Sequence, residues 1–319
     1  MKKLKELLLA LEPSIKEMTS IEGNPSEVYE PISYILGLGG KRIRPAMVLA
    51  TYKLFREDIN SDVLTLAMAV EMFHNFTLMH DDIMDKADLR RGKQTVHIKW
   101  DEATAILSGD LLQIKVYETL ASLGNIEIIN LFNSMAIELC EGQMSDMMFE
   151  QKENIANNDY LNMIRQKTAV LLGFSLQASA LLAGASNQIC KDLYDLGISL
   201  GLSFQLMDDY LDSFGEKAKV GKRIGGDILE KKKTYLWNEM WHKLDLNEQQ
   251  IITDAYNLSD EECISIVKQN MSKTGAADAT LDLANKYTNQ SKKLLSELNV
   301  SGNKAYLEEL TAMLANRES

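Results

Sequence analysis

Residues 61–85 read SDVLTLAMAVEMFHNFTLMHDDIMD. Leu64, Ala67, Met68, Glu71, Met72, Asn75, Leu78 and Met79 recur at spacings of three and four, which puts them on one face of a helix. Ser61 is expected to cap its start. The same period runs from about 101 to 123, 126 to 149, 159 to 183 and 187 to 212, and shorter helices are expected in the C-terminal third. No alternating strand segments with hairpin turns and no long-period repeat stand out. All 4 prolines lie at or before Pro45. Proline interrupts helix interiors, so its absence from the rest of the chain favours long, unbroken helices. The glycine-bearing breaks at 37–40, 91–92, 215–226 and 275 lack the composition of a flexible linker. One large all-α domain over residues 1–319 is therefore predicted.

The chain has 46 Asp plus Glu against 34 Lys plus Arg, a formal net charge of −12 over 319 residues. A field of that sign repels polyanions and argues against nucleic-acid binding. Cys140, Cys190 and Cys263 are far apart and form no CxxC pair, so a reducing, cytoplasmic setting is expected. The start, MKKLKELLLALEPSIKE, reads as an amphipathic first helix, because Glu6 and Glu12 interrupt the apolar run of a signal peptide. Thr168 to Cys190 carries no charge over a membrane-spanning length. Its Gln177, Ser175, Ser179, Ser186, Asn187 and Gln188 make it a buried helix of a bundle instead, with no membrane span predicted.

Two copies of DDxxD carry the chemistry: Asp81-Asp82-Ile83-Met84-Asp85 and Asp208-Asp209-Tyr210-Leu211-Asp212. Residues four apart share a helix face, so Asp81 stacks over Asp85 and Asp208 over Asp212. Stacked like charges destabilise a bare helix, and a hard divalent cation with oxygen ligands would offset that repulsion. A solvated acidic helix end is the alternative for either motif alone. The uncharged run Leu196 to Met207 before the second motif argues against it, because a solvated helix is not apolar for three turns.

The neighbours of these motifs are basic. Arg90 and Arg91 follow the first motif, ahead of Gly92, and arginine forks match phosphate oxygens bidentately. Gly39-Gly40-Lys41-Arg42-Ile43-Arg44-Pro45 offers a bare glycine turn, three cations and a proline suited to a first helical turn; alone, such a stretch is more often a charged turn. Lys167-Thr168 opens the uncharged helix, and Gly221-Lys222 through Asp227, with Lys231-Lys232-Lys233, follows the second motif. Carboxylates for Mg²⁺ with cations for what the metal leaves point to a diphosphate ligand. His74 lies two turns before Asp81 on the same face and can reach a ligand. No GxSxG elbow or activated cysteine offers a nucleophile.

Six pieces in order resemble the trans-type isoprenyl diphosphate synthases over nearly the whole chain: GGKRIRP at 39–45, FTLMHDDIMDKADLRRG at 76–92, Gly109-Asp110, Lys167-Thr168, FQLMDDYLD at 204–212 and GKRIGGD at 221–227. The resemblance implies the all-α isoprenoid synthase fold, a bundle around a deep central cavity, in a homodimer with the two aspartate motifs facing each other at the mouth. It implies Asp81, Asp85 and Asp208 as the main ligands of Mg²⁺, three ions per active site, with Asp82, Asp209 and Asp212 in support. Lys41, Arg44, His74 and Arg91 would grip isopentenyl diphosphate. Arg90, Lys167, Thr168, Gln205, Lys222 and Lys232 would grip the allylic diphosphate, whether dimethylallyl, geranyl or farnesyl. The implied chemistry is ionisation of the allylic C–O bond, attack by the isopentenyl double bond and loss of a proton, with Lys167, Arg90 and Arg91 serving catalysis beside the metal ligands. Gln94, where many relatives carry proline, and the extra Arg223 depart from the family pattern and leave only the shape of those loops in question.

Chain length follows from the helix of the first motif. Thr77 lies one turn before Asp81 with Phe76 beside it, and five residues span about 7.5 Å of helix axis. In the family a bulky residue at the position of Phe76 resembles the short-chain makers, which implies a C15 or C20 product; the alternative is that Phe76 faces a neighbouring helix. A terpene cyclase of the same fold and a noncatalytic synthase subunit are the competing readings. The intact Lys41, Arg44 and Arg91 count against the first, and the full set of aspartates and arginines counts against the second.

Overall fold

The computed structural model describes residues 2–215 and 224–315, which fall into two compact units. One gathers the described residues up to Asn133 with Phe174–Leu193 and Leu298–Leu310; the other gathers Ser134–Gly173, Tyr194–Glu297 and the described residues from Thr311. Helices dominate both. In chain order they are α1 (Lys2–Met18), α2 (Ser26–Gly37), α3 (Ile43–Tyr52), α4 (Ser61–Met84), α5 (Val96–Lys99), α6 (Glu102–Ala121), α7 (Ile126–Glu150), α8 (Asn157–Ile164), α9 (Val170–Leu182), α10 (Asn187–Phe214), α11 (Gly226–Leu229), α12 (Tyr235–Trp241), α13 (Leu246–Ala255), α14 (Asp260–Lys273), α15 (Ala276–Glu297) and α16 (Ala305–Ala315).

In the first unit α4 packs against α3 and α6. It buries Val63, Leu66, Ala67, Val70 and Phe73, each large side chain contributing about 2 kcal/mol by leaving water. Phe73 meets Phe132 edge-on at 4.9 Å, and Phe132 meets Phe174 at 5.7 Å. The cap of α4 is Asn60, whose side chain accepts from the Val63 amide. Ser61 was expected in that role, but it is already helical, and the extended backbone of Asn60 aims its oxygen at the open N–H. The amphipathic reading of the chain's start holds: α1 buries Leu4, Leu7, Leu11 and Met18. Glu309 accepts from the Leu4 amide at 2.9 Å, a carboxylate at a helix N-terminus.

One expectation fails here. Residues Leu89–Arg90 (β1) and Lys93–Gln94 (β2) pair antiparallel, a hairpin closed by Arg91 and Gly92, both at positive φ. That is the backbone of a tight two-residue hairpin turn, with Gly92 accepting it freely and Arg91 under strain. Two-residue strands are too short to show alternation, so the sequence pattern concealed them.

In the second unit the expected helix over 159–183 is interrupted. Between α8 and α9, residues Arg165–Ala169 form a single π-helical turn. Gly142 on α7 lies against it: a Cβ there would fall 2.5 Å from the Lys167 amide nitrogen. Farther on, Gly197 on α10 admits Gly173, whose Cα would stand 2.6 Å from a Cβ on Gly197. The apolar core of α11 to α15 is built from residues such as Leu236, Trp237, Met240, Ile252, Val267 and Met271. Capping boxes Asp245/Glu248 and Ser259/Glu262 start α13 and α14. Of the uncharged stretch, Val170–Leu182 is a buried helix as expected, but the stretch does not stay helical or buried to Cys190: Gly184, Ser186, Asn187 and Gln188 are exposed around the turn into α10. In the first unit the Ser179 hydroxyl of that helix donates to the Val48 carbonyl at 2.6 Å. Among the described residues no helix is long and apolar enough to cross a membrane.

Candidate active site

The first unit gathers the GGKRIRP turn, the end of α4 and the hairpin. Gly39 and Gly40 take φ of 81° and 140°, and Arg42 is left-handed at φ 49° as α3 begins. Arg91 lies over Gly40, where a Cβ would meet its guanidinium at 2.9 Å. Arg44 NH1 stands 3.2 Å from His74 Nε2, and Arg44 Nε is buried with no hydrogen-bond partner among the described residues. Burial holds the Arg44 guanidinium below its ordinary value, with Glu71 opposing the shift. Burial, then Arg44, Arg91, Arg90 and Arg42, hold His74 well below the usual imidazole range, so it is neutral at pH 7. An orphaned buried donor inside a group of cations is chemistry suited to an anion. Lys41 is exposed at the rim of this turn.

The first aspartate motif divides its residues. Asp82 is 1% exposed and is clamped by Arg90, whose Nε donates to its two oxygens at 2.9 and 2.8 Å. Asp81 is half-buried, 3.8 Å from Arg90 NH2, and Asp85 is exposed at the end of α4. Hence Asp82 turns toward the arginine of the hairpin, while Asp81 and Asp85 lie nearer solvent. Thr95 ties the hairpin down by donating to the Ala87 carbonyl at 2.7 Å. Phe76 is buried against Phe73 and His80 at ring distances of 5.6 and 4.8 Å, and Thr77 donates to the His74 carbonyl. Gly109 of the Gly109-Asp110 pair proves to be a packing residue: the His80 imidazole occupies the space where a Cβ would stand.

The second unit encloses a cavity of about 200 Å³. Lys167, Thr168, Gln205, Asp208, Asp209, Asp212 and Lys232 all line it, so one pocket collects residues spread over more than sixty positions of sequence. The π-helical turn supplies Lys167 and Thr168. Lys167 Nζ lies 2.6 Å from Asp146. Thr168 donates to Gln205, Gln205 donates to Asp209 at 3.0 Å, and the Tyr160 hydroxyl donates to Asp209 from the other side. Burial, then Asp227, push the Asp209 carboxyl up to about 8; burial, then Asp212, push Asp227 up to about 6. The Asp227 amide donates to Asp212 at 3.0 Å, and Lys232 stands 3.7 Å from the Asp227 carboxylate. Lys222 lies outside the described residues.

These donors suit Mg²⁺. They are carboxylate oxygens held together at an electrostatic cost that a hard dication would relieve. Among the described residues no three of them already converge to hold one ion. Mg²⁺ does not require that, since it commonly takes one or two carboxylates and completes its shell with waters and phosphate oxygens.

Asp146, Tyr160 and Asp227 join the cavity although sequence reasoning gave them no role. Asp227 stood in the GKRIGGD stretch and could have been taken with it. Asp146 and Tyr160 carry no local signal, for each meets its partner only through packing across 21 and 49 residues.

The profile of the polyprenyl synthetase family matches residues 25–274, and the chain belongs to that family, a family of trans-type prenyltransferases. It is 34% identical over 302 residues to a geranylgeranyl diphosphate synthase of Methanosarcina mazei, covering 92% of this chain and 91% of that protein. It is 36% identical to a geranylgeranyl pyrophosphate synthase of Geoglobus acetivorans, covering 93% of each. Among solved structures, a geranylgeranyl pyrophosphate synthase matches with a TM-score of 0.90 at 40% identity over 99% of both chains. The fold is accordingly the all-α isoprenoid synthase fold.

Proposed function

We propose that this chain is one synthase domain that joins isopentenyl diphosphate head-to-tail to an allylic diphosphate and releases diphosphate, giving a C15 or C20 all-trans product. The cavity that collects Lys167, Thr168, Gln205 and Lys232 beside the second aspartate motif carries the reading. Those four residues, with Lys222 and Arg90, hold the allylic diphosphate. Arg44, Arg91, Lys41 and His74 hold isopentenyl diphosphate, where the unpartnered Arg44 Nε has a phosphate oxygen to meet.

Asp81 and Asp85, and likewise Asp208 with Asp209 and Asp212 in support, would hold Mg²⁺, which when bound would supply charge neutralisation for a departing diphosphate. Three ions per active site fit the family pattern. The Arg90–Asp82 clamp makes the support from Asp82 indirect: it aims the arginine. The allylic C–O bond breaks with its electron pair leaving on diphosphate, and Lys167 and Arg90 hold the oxygens that gain charge. The isopentenyl double bond attacks the resulting cation, and the adjacent C–H proton passes to the released diphosphate. Arg91 and the neutral His74 fix the second substrate in reach of the cation. No side-chain nucleophile is needed.

Phe76, with Thr77 beside it, sets chain length by closing the space below the first motif. An exposed apolar stripe on α6, Ile106, Leu107 and Ile114, supports a homodimer, and a cytoplasmic setting fits the free cysteines. The test is purified protein with Mg²⁺, isopentenyl diphosphate and dimethylallyl, geranyl or farnesyl diphosphate, followed by identification of the prenyl alcohol after phosphatase. Absence of diphosphate release with every pairing refutes the reading, and a cyclic hydrocarbon formed without isopentenyl diphosphate replaces it with cyclisation.

A further inference from the structure

Glu71 on α4 is 3% exposed, and a carboxylate so buried persists only when its charge is met. Arg42 meets it: the two form a buried ion pair, and Arg42 NH2 also donates to the Leu36 carbonyl at 2.7 Å. One turn along α4, Asn75 donates from Nδ2 to the Glu71 carboxylate at 3.2 Å and to the Glu71 carbonyl at 2.8 Å. Glu71 is therefore fixed from two sides.

Arg42 is also the left-handed residue on which the GGKRIRP turn reverses into α3. A non-glycine residue at φ 49° is strained and keeps that conformation only where its surroundings hold it. The surroundings here are the Glu71 carboxylate and the Leu36 carbonyl. Lys41 precedes this residue and Arg44 follows it by two, so the directions of both depend on that anchor. Glu71 acts on the other cations as well. Its charge favours the protonated guanidinium of Arg44 against burial, and that of Arg91 against burial and Arg42.

We propose that Glu71 is a positioning residue for the isopentenyl-diphosphate half-site: by holding Arg42 in its left-handed turn it sets Lys41 and Arg44, and its charge lets the arginines gather around His74 before the anion arrives. This rests on the assignment of Lys41, Arg44, His74 and Arg91 given above. Glu71 touches no substrate and acts through Arg42.

The test is steady-state kinetics of Glu71→Gln, which keeps the shape and removes the charge. The expected result is a rise of at least tenfold in KM for isopentenyl diphosphate, with KM for the allylic substrate within twofold of wild type and a smaller change in kcat. Since an unmatched buried arginine threatens folding, the double variant Arg42→Met/Glu71→Leu is measured beside it. Replacing both members of a buried pair by apolar residues is often tolerated, and the same selective rise is expected. Wild-type protein inactive in the same assay refutes the functional assignment itself. Wild type active with both folded variants unchanged in isopentenyl KM overturns the role of Glu71. Equal rises in both KM values, or failure of both variants to fold, also overturn it, because the pair would then serve the core at large.

Discussion

Gly142→Ala tests the fit between α7 and the π-helical turn. The added Cβ would lie 2.5 Å from the Lys167 nitrogen, 2.7 Å from Gln166 Cβ and 2.9 Å from the Gln166 carbonyl carbon. Ordinary carbon contacts begin near 3.5 Å, so the turn must retreat by about 1 Å. Two of the three atoms met are backbone, so rotating one side chain away does not relieve the clash. Overpacking of this kind costs about 1–3 kcal/mol, against a gain of about 1 kcal/mol for alanine over glycine inside a helix. The expected net loss is therefore about 0–2 kcal/mol by urea unfolding. The kinetic effect is larger than the stability effect, because a misplacement of about 1 Å at a positioned group can cost on the order of a hundredfold. KM for the allylic substrate should rise at least tenfold while KM for isopentenyl diphosphate stays within twofold. A variant stabilised by the full propensity gain, with both constants unchanged, would show slack in this contact and refute the reasoning.

Three further outcomes are expected. In metal-free protein, the Asp209 carboxyl at about 8 binds a proton that the unfolded chain, near 3.9, has released. Its contribution to stability is complete below about pH 4 and is lost as pH rises through 8, by about 1 kcal/mol per pH unit; Asp209→Asn should flatten the decline between pH 7 and 8.5, and an unaltered slope counts against a buried neutral Asp209. Gly40→Ala puts a side chain at φ 140° and against the Arg91 guanidinium, so KM for isopentenyl diphosphate should rise more than KM for the allylic substrate; a shift in the allylic constant alone would contradict the assignment of Arg91. Phe76→Ala empties a buried aromatic site at a cost of about 3–5 kcal/mol and should lengthen the product by at least one isoprene unit on chromatography. An unchanged product removes Phe76 from chain-length control.

The sequence was most legible where chemistry is local. That α4 is a helix follows from the three- and four-residue spacings of its residues, although it is buried on nearly all sides, Val63, Leu66, Val70 and Phe73 included, and not on the one expected face; the aspartate motifs follow from charges stacked one turn apart. What stayed hidden depends on partners far along the chain. Glu71 reads as one more residue of a helical face until Arg42 is seen against it, 29 residues earlier. Lys167-Thr168 was visible as a motif, but the turn that carries it was not, because RQKTA has an ordinary helical composition and the widening accompanies a glycine on another helix. The hairpin escaped because Arg91 occupies a position where glycine would have announced the turn.

The π-helical turn also bears on how this segment tolerates changes of length. Its hydrogen bonds reach one residue farther than those of the helices on either side, so it absorbs a surplus residue locally. Removing Gln166 would let α8 and α9 join as one regular helix and leave Tyr160 facing Asp209, while the backbone that presents Lys167 and Thr168 would be drawn in. Folding and ligand grip can thus be separated by a single deletion. If Lys167 and Thr168 grip a diphosphate as proposed, a chain shortened here is expected to keep its core and to bind that anion more weakly.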